Sequence, residues 1–214
     1  MGRDKSTVES TYNTVAKEYS EAYSAEHEKK PKDREILARF AQEVGDKKPV
    51  WDFGCGPGQT TKYLTDLGIE ISGLDLSEGM VEQARLRYPE IRFQKGDMLD
   101  LVCENDSIAA VVSFYSIVHF TEGEVGTALG EVFRVLRPGG AFLFTYHIGE
   151  ETIRIDRFLD KDVDIDFMFF SSDCIRGLLE RCGFERIEII ERAPYPEVEY
   201  QSRRAYVFAF KPIA

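Results

Sequence analysis

The chain has 214 residues, 43% hydrophobic and 30% charged, enough to bury a sizeable core in one domain under a well-solvated surface. Its formal charge of -11 opposes phosphate backbones and disfavours nucleic acid as a partner. No apolar run approaches the roughly 20 residues that span a bilayer, and the polar N-terminus lacks a signal-peptide core, so a cytoplasmic protein with no membrane contact is expected.

Residues 6–23 carry Val8, Tyr12, Val15, Ala16 and Tyr19 at helical spacing and predict a short amphipathic helix. Pro31 suits the first turn of a second helix, which buries Ile36, Leu37 and Phe40 and stops near Gly45. From Pro49 to His147 strands, glycine turns and helices alternate, the pattern of right-handed crossovers that build a parallel sheet. The expected strands are 50–53, 69–74, 91–94, 108–114 and 141–146. Between them a helix over 60–67 is closed by Gly68, and another, capped by Ser77, runs to about Tyr88. Thr121 and Glu124 have capping-box spacing ahead of the apolar stripe Val125, Leu129, Val132, Phe133 and Leu136, and Pro138, Gly139 and Gly140 end that helix.

Residues 149–171 read as an irregular insertion, a cap or lid, in which the cluster Phe167, Met168, Phe169 and Phe170 covers an apolar acceptor or simply packs on the core. Ser172 is the expected cap of a helix ending at Cys182 and Gly183, and two last strands follow at 184–190 and 205–211. Cys55, Cys103, Cys174 and Cys182 show neither C-x-x-C spacing nor paired histidines, so reduced thiols and no metal site are expected.

Asp52, Gly54, Gly56 and Gly58 form D-x-G-x-G-x-G after the first strand, where an open α/β sheet places its ligand crevice. Glycine lets the backbone take positive φ and lets N–H groups approach a ligand, and the next helix N-terminus favours negative charge. A nicotinamide-binding G-x-G-x-x-G would need glycine where Gln59 stands.

This loop resembles the first signature of class I S-adenosylmethionine-dependent methyltransferases of the small-molecule type, and the resemblance runs from about Tyr12 to the C-terminus. It implies a Rossmann-like α/β fold with a seven-stranded, mostly parallel sheet, a C-terminal antiparallel hairpin and helices on both faces, all within one domain of residues 1–214. It implies S-adenosyl-L-methionine as cofactor, S-adenosyl-L-homocysteine as product and a small-molecule methyl acceptor, with the helices of residues 1–45 over the cofactor site. Gly54, Cys55 and Gly56 are then expected at the methionine end and Asp75 at the ribose hydroxyls, unless Asp75 caps a helix or is solvated. The turn from Leu76 to Met80 flanks adenine, Asp97 accepts from its exocyclic amine, and Met98 packs on the ring. Leu136 to Gly140, L-R-P-G-G, is similar to the family's turn before the fifth strand.

Tyr12, Ala16 and Tyr19 match the Y-x-x-x-A-x-x-Y pattern that such enzymes place over the cofactor, where an aromatic face suits a sulfonium; alternatively both rings pin the helix. Phe114, Tyr115, Ser116 and His119 stand where the family lines the junction of donor and acceptor. His119 is the candidate general base, or else a hydrogen-bonded core histidine, and Tyr115 and Tyr19 are the other catalytic candidates. His147 is expected at the same rim, His27 in solvent, and Arg203 and Arg204 on a solvated hairpin rather than on an acidic substrate. A monomer or homodimer is expected. The competing readings are a methyltransferase for tRNA or protein, a nicotinamide dehydrogenase, and a non-catalytic module that binds the same nucleoside.

Overall fold

The computed structural model describes residues 4–213; residues 1–3 and 214, part of the expected domain range, lie outside the described residues. Alternation along the strands decides the layers. In β4 (Ile108–Ser113), Val111 faces one core while Ala110 and Val112 face the other; in β5 (Leu136–His147), Phe142 and Phe144 oppose Ala141 and Leu143. The first face is covered by α5 (Glu122–Val135) and α6 (Ser172–Cys182), through Val125, Leu129, Val132, Ile175 and Leu179. The second is covered by α2 (Pro31–Val44) and α3 (Gln59–Asp66), through Ile36, Leu37, Phe40 and Leu64.

With β1 (Val50–Phe53), β2 (Ile71–Asp75), β3 (Phe93–Lys95), β8 (Glu185–Arg192) and β9 (Arg204–Phe210), the seven-stranded sheet runs in the order β3-β2-β1-β4-β5-β9-β8. β9 is antiparallel to both of its neighbours, and the pairs from β3 to β5 are parallel. This is the Rossmann-like sheet that the sequence predicts. The strand order reverses between β1 and β4, which opens a crevice at their carboxyl ends.

Two further helices flank that crevice. α4 (Glu78–Arg87) is capped by Ser77, whose hydroxyl accepts from the Met80 amide at 3.1 Å; α1 (Lys5–Tyr23) lies over α4 and buries Val15 and Ala16 against Met80. The Asn13 side-chain oxygen accepts from the Ser77 hydroxyl and the Gly79 amide, fixing α1 to the start of α4.

Several boundaries differ from expectation for identifiable reasons. The segment 149–171 is not irregular: it contains the hairpin β6 (Thr152–Phe158) and β7 (Lys161–Met168), turned by Leu159 and Asp160, both at positive φ. A two-residue turn of this kind normally signals itself with Asn or Gly. Here Leu159 is held there by its packing, with Phe158 and Val163, against Val15, Ala16 and Met80. Ser171, not Ser172, caps α6, accepting from the Cys174 amide at 3.2 Å, because the Ser172 hydroxyl is engaged by Tyr146 and Glu191. β5 starts at Leu136, so L-R-P-G-G opens the strand rather than preceding it.

The capping box of α5 is complete: the Glu124 amide donates to the Thr121 hydroxyl, and the Thr121 amide donates to the Glu124 carboxylate. Thr121→Ala is expected to destabilise the fold by about 1 kcal/mol, read as a shift in the urea midpoint at unchanged slope.

Candidate active site

The chain leaves β1 through Gly54 (φ 71°), whose added Cβ would run into the Ser116 side chain; only glycine lets this loop press against the end of β4. The loop amides, expected to face a ligand, are instead spent inside the protein. Gly54 and Cys55 donate to the Leu74 carbonyl at 2.7 and 3.0 Å, and Gly56 donates to an Asp75 oxygen at 2.8 Å. The glycines therefore shape the cavity by what they leave out, while the start of α3, with no side-chain cap, supplies the anion-favouring helix end.

The residues expected at the cofactor or the reaction, His147 apart, line one cavity at the crevice. Gly54, Cys55 and Gly56 line it with Asp75, Leu76, Met80, Asp97 and Met98, and so do Tyr12, Tyr19, Phe114, Tyr115 and His119. Asp75 ends β2, its second oxygen accepting from the Ser77 amide at 2.8 Å, and burial raises its pKa against the lowering effect of those amides. Asp97 accepts from Lys5 Nζ at 2.6 Å and from the Leu99 amide at 2.9 Å.

Three other residues of this cavity, Asp52, Gln59 and Glu26, have no role expected from the sequence. Asp52 Oδ2 accepts from the Thr61 hydroxyl at 2.7 Å, but Oδ1 is buried without a partner, and burial, reinforced by the nearby Asp75 charge, pushes the carboxyl up to about 7. Gln59 donates to Glu26 at 2.9 Å and leaves its own side-chain oxygen buried and unpartnered. Glu26 also meets Lys30 Nζ at 3.0 Å. The leading Asp of the glycine motif was a legible signal; Gln59 and Glu26 come together only through tertiary packing.

His119 lies at the junction with both ring nitrogens bonded. Nδ1 must donate to the Asp166 carbonyl at 2.8 Å, so Nε2 accepts the Tyr12 hydroxyl at 2.7 Å. Burial lowers its pKa to about 4. Tyr115 has φ 53°, a conformation rare for a bulky residue, held in part by its amide donating to Thr145 Oγ1 at 2.8 Å.

A second, larger cavity of about 1050 Å³ shares Tyr12, Tyr19, Glu26 and Tyr115 with the first. It lies between α1, the β6–β7 hairpin and the 197–204 segment, with Phe167 and Phe169 in its wall, whereas Phe170 joins the core. His147 lines this cavity rather than the first. Arg203 is exposed as expected, but Arg204 is buried and lines the second cavity. His27 is likewise buried, not solvated, because residues 26–29 fold back on α3 and place its Nε2 3.0 Å from Thr60 Oγ1.

Residues 50–140 match the methyltransferase domain family. Over that segment the chain is similar to S-adenosylmethionine-dependent methyltransferases, whose fold it shares. A relative from Mycolicibacterium smegmatis, named a probable S-adenosylmethionine-dependent methyltransferase, is 35% identical over 144 residues, covering 64% of this chain and 52% of its own. The chain thus spans about half the length of the curated relatives it matches. Two methyltransferase structures share the fold at 16% identity, each with a TM-score of 0.73. An S-adenosylmethionine-dependent enzyme from Methanosarcina mazei matches over 82% of this chain and 98% of its own. The magnesium protoporphyrin IX methyltransferase of Synechocystis, with bound S-adenosylmethionine, matches over 98% and 97%.

Among the described residues no cluster of His, Cys, Asp and Glu could hold a metal, and no helix is long and apolar enough to cross a membrane.

Proposed function

We propose that this methyltransferase binds S-adenosyl-L-methionine in the first cavity and transfers its methyl group to a small-molecule acceptor in the second, leaving S-adenosyl-L-homocysteine. The observation that carries this reading is the pair of buried, unpartnered oxygens, Asp52 Oδ1 and Gln59 Oε1, on two residues of the first cavity. Buried acceptors without donors are costly, and an amino-acid ammonium supplies the donors they lack. The group's carboxylate suits the start of α3, its ribose hydroxyls suit Asp75, and its adenine suits Asp97 between Leu76, Met80 and Met98.

When bound, the cofactor supplies an electrophilic methyl on a sulfonium, so the protein's work is mainly alignment. Tyr12 and Tyr19 present protonated, buried hydroxyls and ring faces where the cavities meet, since burial raises both phenols above their ordinary range. His119 holds Tyr12 through Nε2 and so acts as a positioning residue; its lone pair is not free to take a proton. The β6–β7 hairpin serves as the cap that keeps water from the acceptor. The chain's acidity favours a metabolite over tRNA.

Calorimetric titration is expected to show uptake of S-adenosylmethionine and its demethylated product. An ammonium beside Asp52 favours the ionised carboxyl, so binding releases a proton near and below pH 7. Affinity should then fall as pH drops from 7, by up to about tenfold per unit, and Asp52→Asn should flatten that dependence. Absence of nucleoside uptake by folded protein overturns the proposal.

A further inference from the structure

We propose that the acceptor is an oxyanion on an apolar, ring-sized body, a carboxylate or an acidic phenol ionised before it binds, and that the protein supplies no base for it. The inference rests on the methyl-donor reading above and names the substrate class of the second cavity.

The buried histidines and carboxylates around the cavity are already engaged by protein donors. His119 Nε2 is taken by the Tyr12 hydroxyl. His147 Nδ1 lies 2.8 Å from an Arg204 N–H, which can only donate, and 2.6 Å from the Ser202 hydroxyl, so its hydrogen sits on Nε2 and the ring is a donor. Glu26 is engaged by Lys30 and Gln59, and Glu199 by Arg192 and by Arg204 Nε at 2.7 Å. Glu21 and Glu197 are on the exposed rim.

What these groups leave over is hydrogen-bond donors. The Tyr115 hydroxyl is buried with no partner, and its ring lies 5.2 Å from that of His147. Lys30 Nζ and the Arg204 guanidinium stand 5.7 and 5.3 Å from the Tyr115 ring centre. The cavity's own charges balance, Lys29, Lys30, Arg157 and Arg204 against Glu21, Glu26, Glu197 and Glu199. The donor's sulfonium then tips the loaded site positive. An anion neutralises that charge, a protonated amine adds to it, and a neutral alcohol needs a base the site lacks. The walls that receive the body are apolar: Ile153, Ile155, Phe158, Phe167 and Phe169.

The transfer then balances without a proton. A lone pair of the acceptor oxygen forms the bond to the methyl carbon as the carbon–sulfur pair returns to sulfur, and anion and sulfonium become a neutral ester or ether and a neutral thioether.

The test is calorimetric titration of the full chain, loaded with S-adenosylhomocysteine or with the donor analogue carrying a protonated amine in place of the sulfonium. Four probes are used at mildly alkaline pH: cinnamate, 4-nitrophenol, cinnamyl alcohol and cinnamylamine. The anions are expected to bind about tenfold or more tighter than the alcohol and the amine, and tighter still beside the charged nucleoside. Whichever of cinnamate and 4-nitrophenol binds more tightly identifies the oxyanion as carboxylate or phenolate. Tyr115→Phe, which keeps the ring, should cut anion affinity about tenfold, and titration of S-adenosylhomocysteine into the same variant separates that loss from any change in the first cavity. Equal or tighter binding of the alcohol or amine, anion binding indifferent to nucleoside charge, or no binding of either anion overturns the proposal. Failure of both nucleosides to bind overturns the methyl-donor reading itself, and this inference with it.

Discussion

Asp75→Ala is expected to weaken S-adenosylhomocysteine binding roughly 100-fold, about 2.8 kcal/mol, while the protein stays folded. The carboxylate accepts the Gly56 and Ser77 amides, one on each oxygen, and each oxygen keeps a second lone pair for a ribose hydroxyl. Its removal therefore takes two charge-assisted bonds from the ligand and also frees the glycine loop. The cost to folding is smaller, because burial already disfavours this charge and water entering the cavity can meet the two amides. Asp75→Asn separates the contributions, since it keeps an acceptor for one amide and loses the charge. Calorimetry paired with urea unfolding reads both effects, and unchanged affinity in Asp75→Ala overturns the ribose assignment.

The sheet was legible because its central strands, buried on both faces, are short apolar runs set between glycine turns and helices. Gly54, Cys55, Gly56, Asp75, Asp97 and Met98 were legible because they lie at or just past the ends of β1, β2 and β3, which topology brings to one crevice, whereas Met80 reaches it from α4. The hairpin was not, since Leu159 and Asp160 adopt positive φ without the residues that announce such a turn, held by contacts with α1 that lie about 145 positions away. His27 and Arg204 read as solvated by residue type, yet tertiary partners bury both. The same limit hid the fate of His119. Its position after β4 was readable, but the tautomer that spends its lone pair is fixed by Tyr12 and Asp166, from opposite sides in sequence.

The largest expected loss of stability comes from the buried ion cluster beneath the second cavity. Arg192 donates to Tyr206 Oη at 2.6 Å, to Asp33 at 3.2 Å and to both oxygens of Glu199, while the Tyr206 hydroxyl donates to Asp33. Asp33 and Glu199 have side chains 1% and 3% exposed, so water cannot replace the arginine. Arg192→Met keeps most of the packing volume and leaves two buried carboxylates short of a partner, which should cost about 4 kcal/mol. For a chain of this size that corresponds to a fall in Tm of roughly 12 °C.

The pH dependence separates lost charge pairing from poor packing. Burial pushes the Glu199 carboxyl up, but Arg192 and Arg204 outweigh it and hold the group at about 2. A depressed carboxylate contributes stability that is full above its unfolded range and is lost as pH falls toward that value. Without Arg192 the Glu199 pKa rises, so the acid unfolding midpoint should move to higher pH, with the destabilisation largest near neutrality and shrinking in acid. The double variant Asp33→Asn/Arg192→Met should recover part of the loss, because it removes one stranded charge. A destabilisation that is constant with pH, or strictly additive in the double variant, would show that Arg192 acts by packing alone. In that case Lys30 and Arg204, which Glu199 holds beside Tyr115, would not owe their place to it.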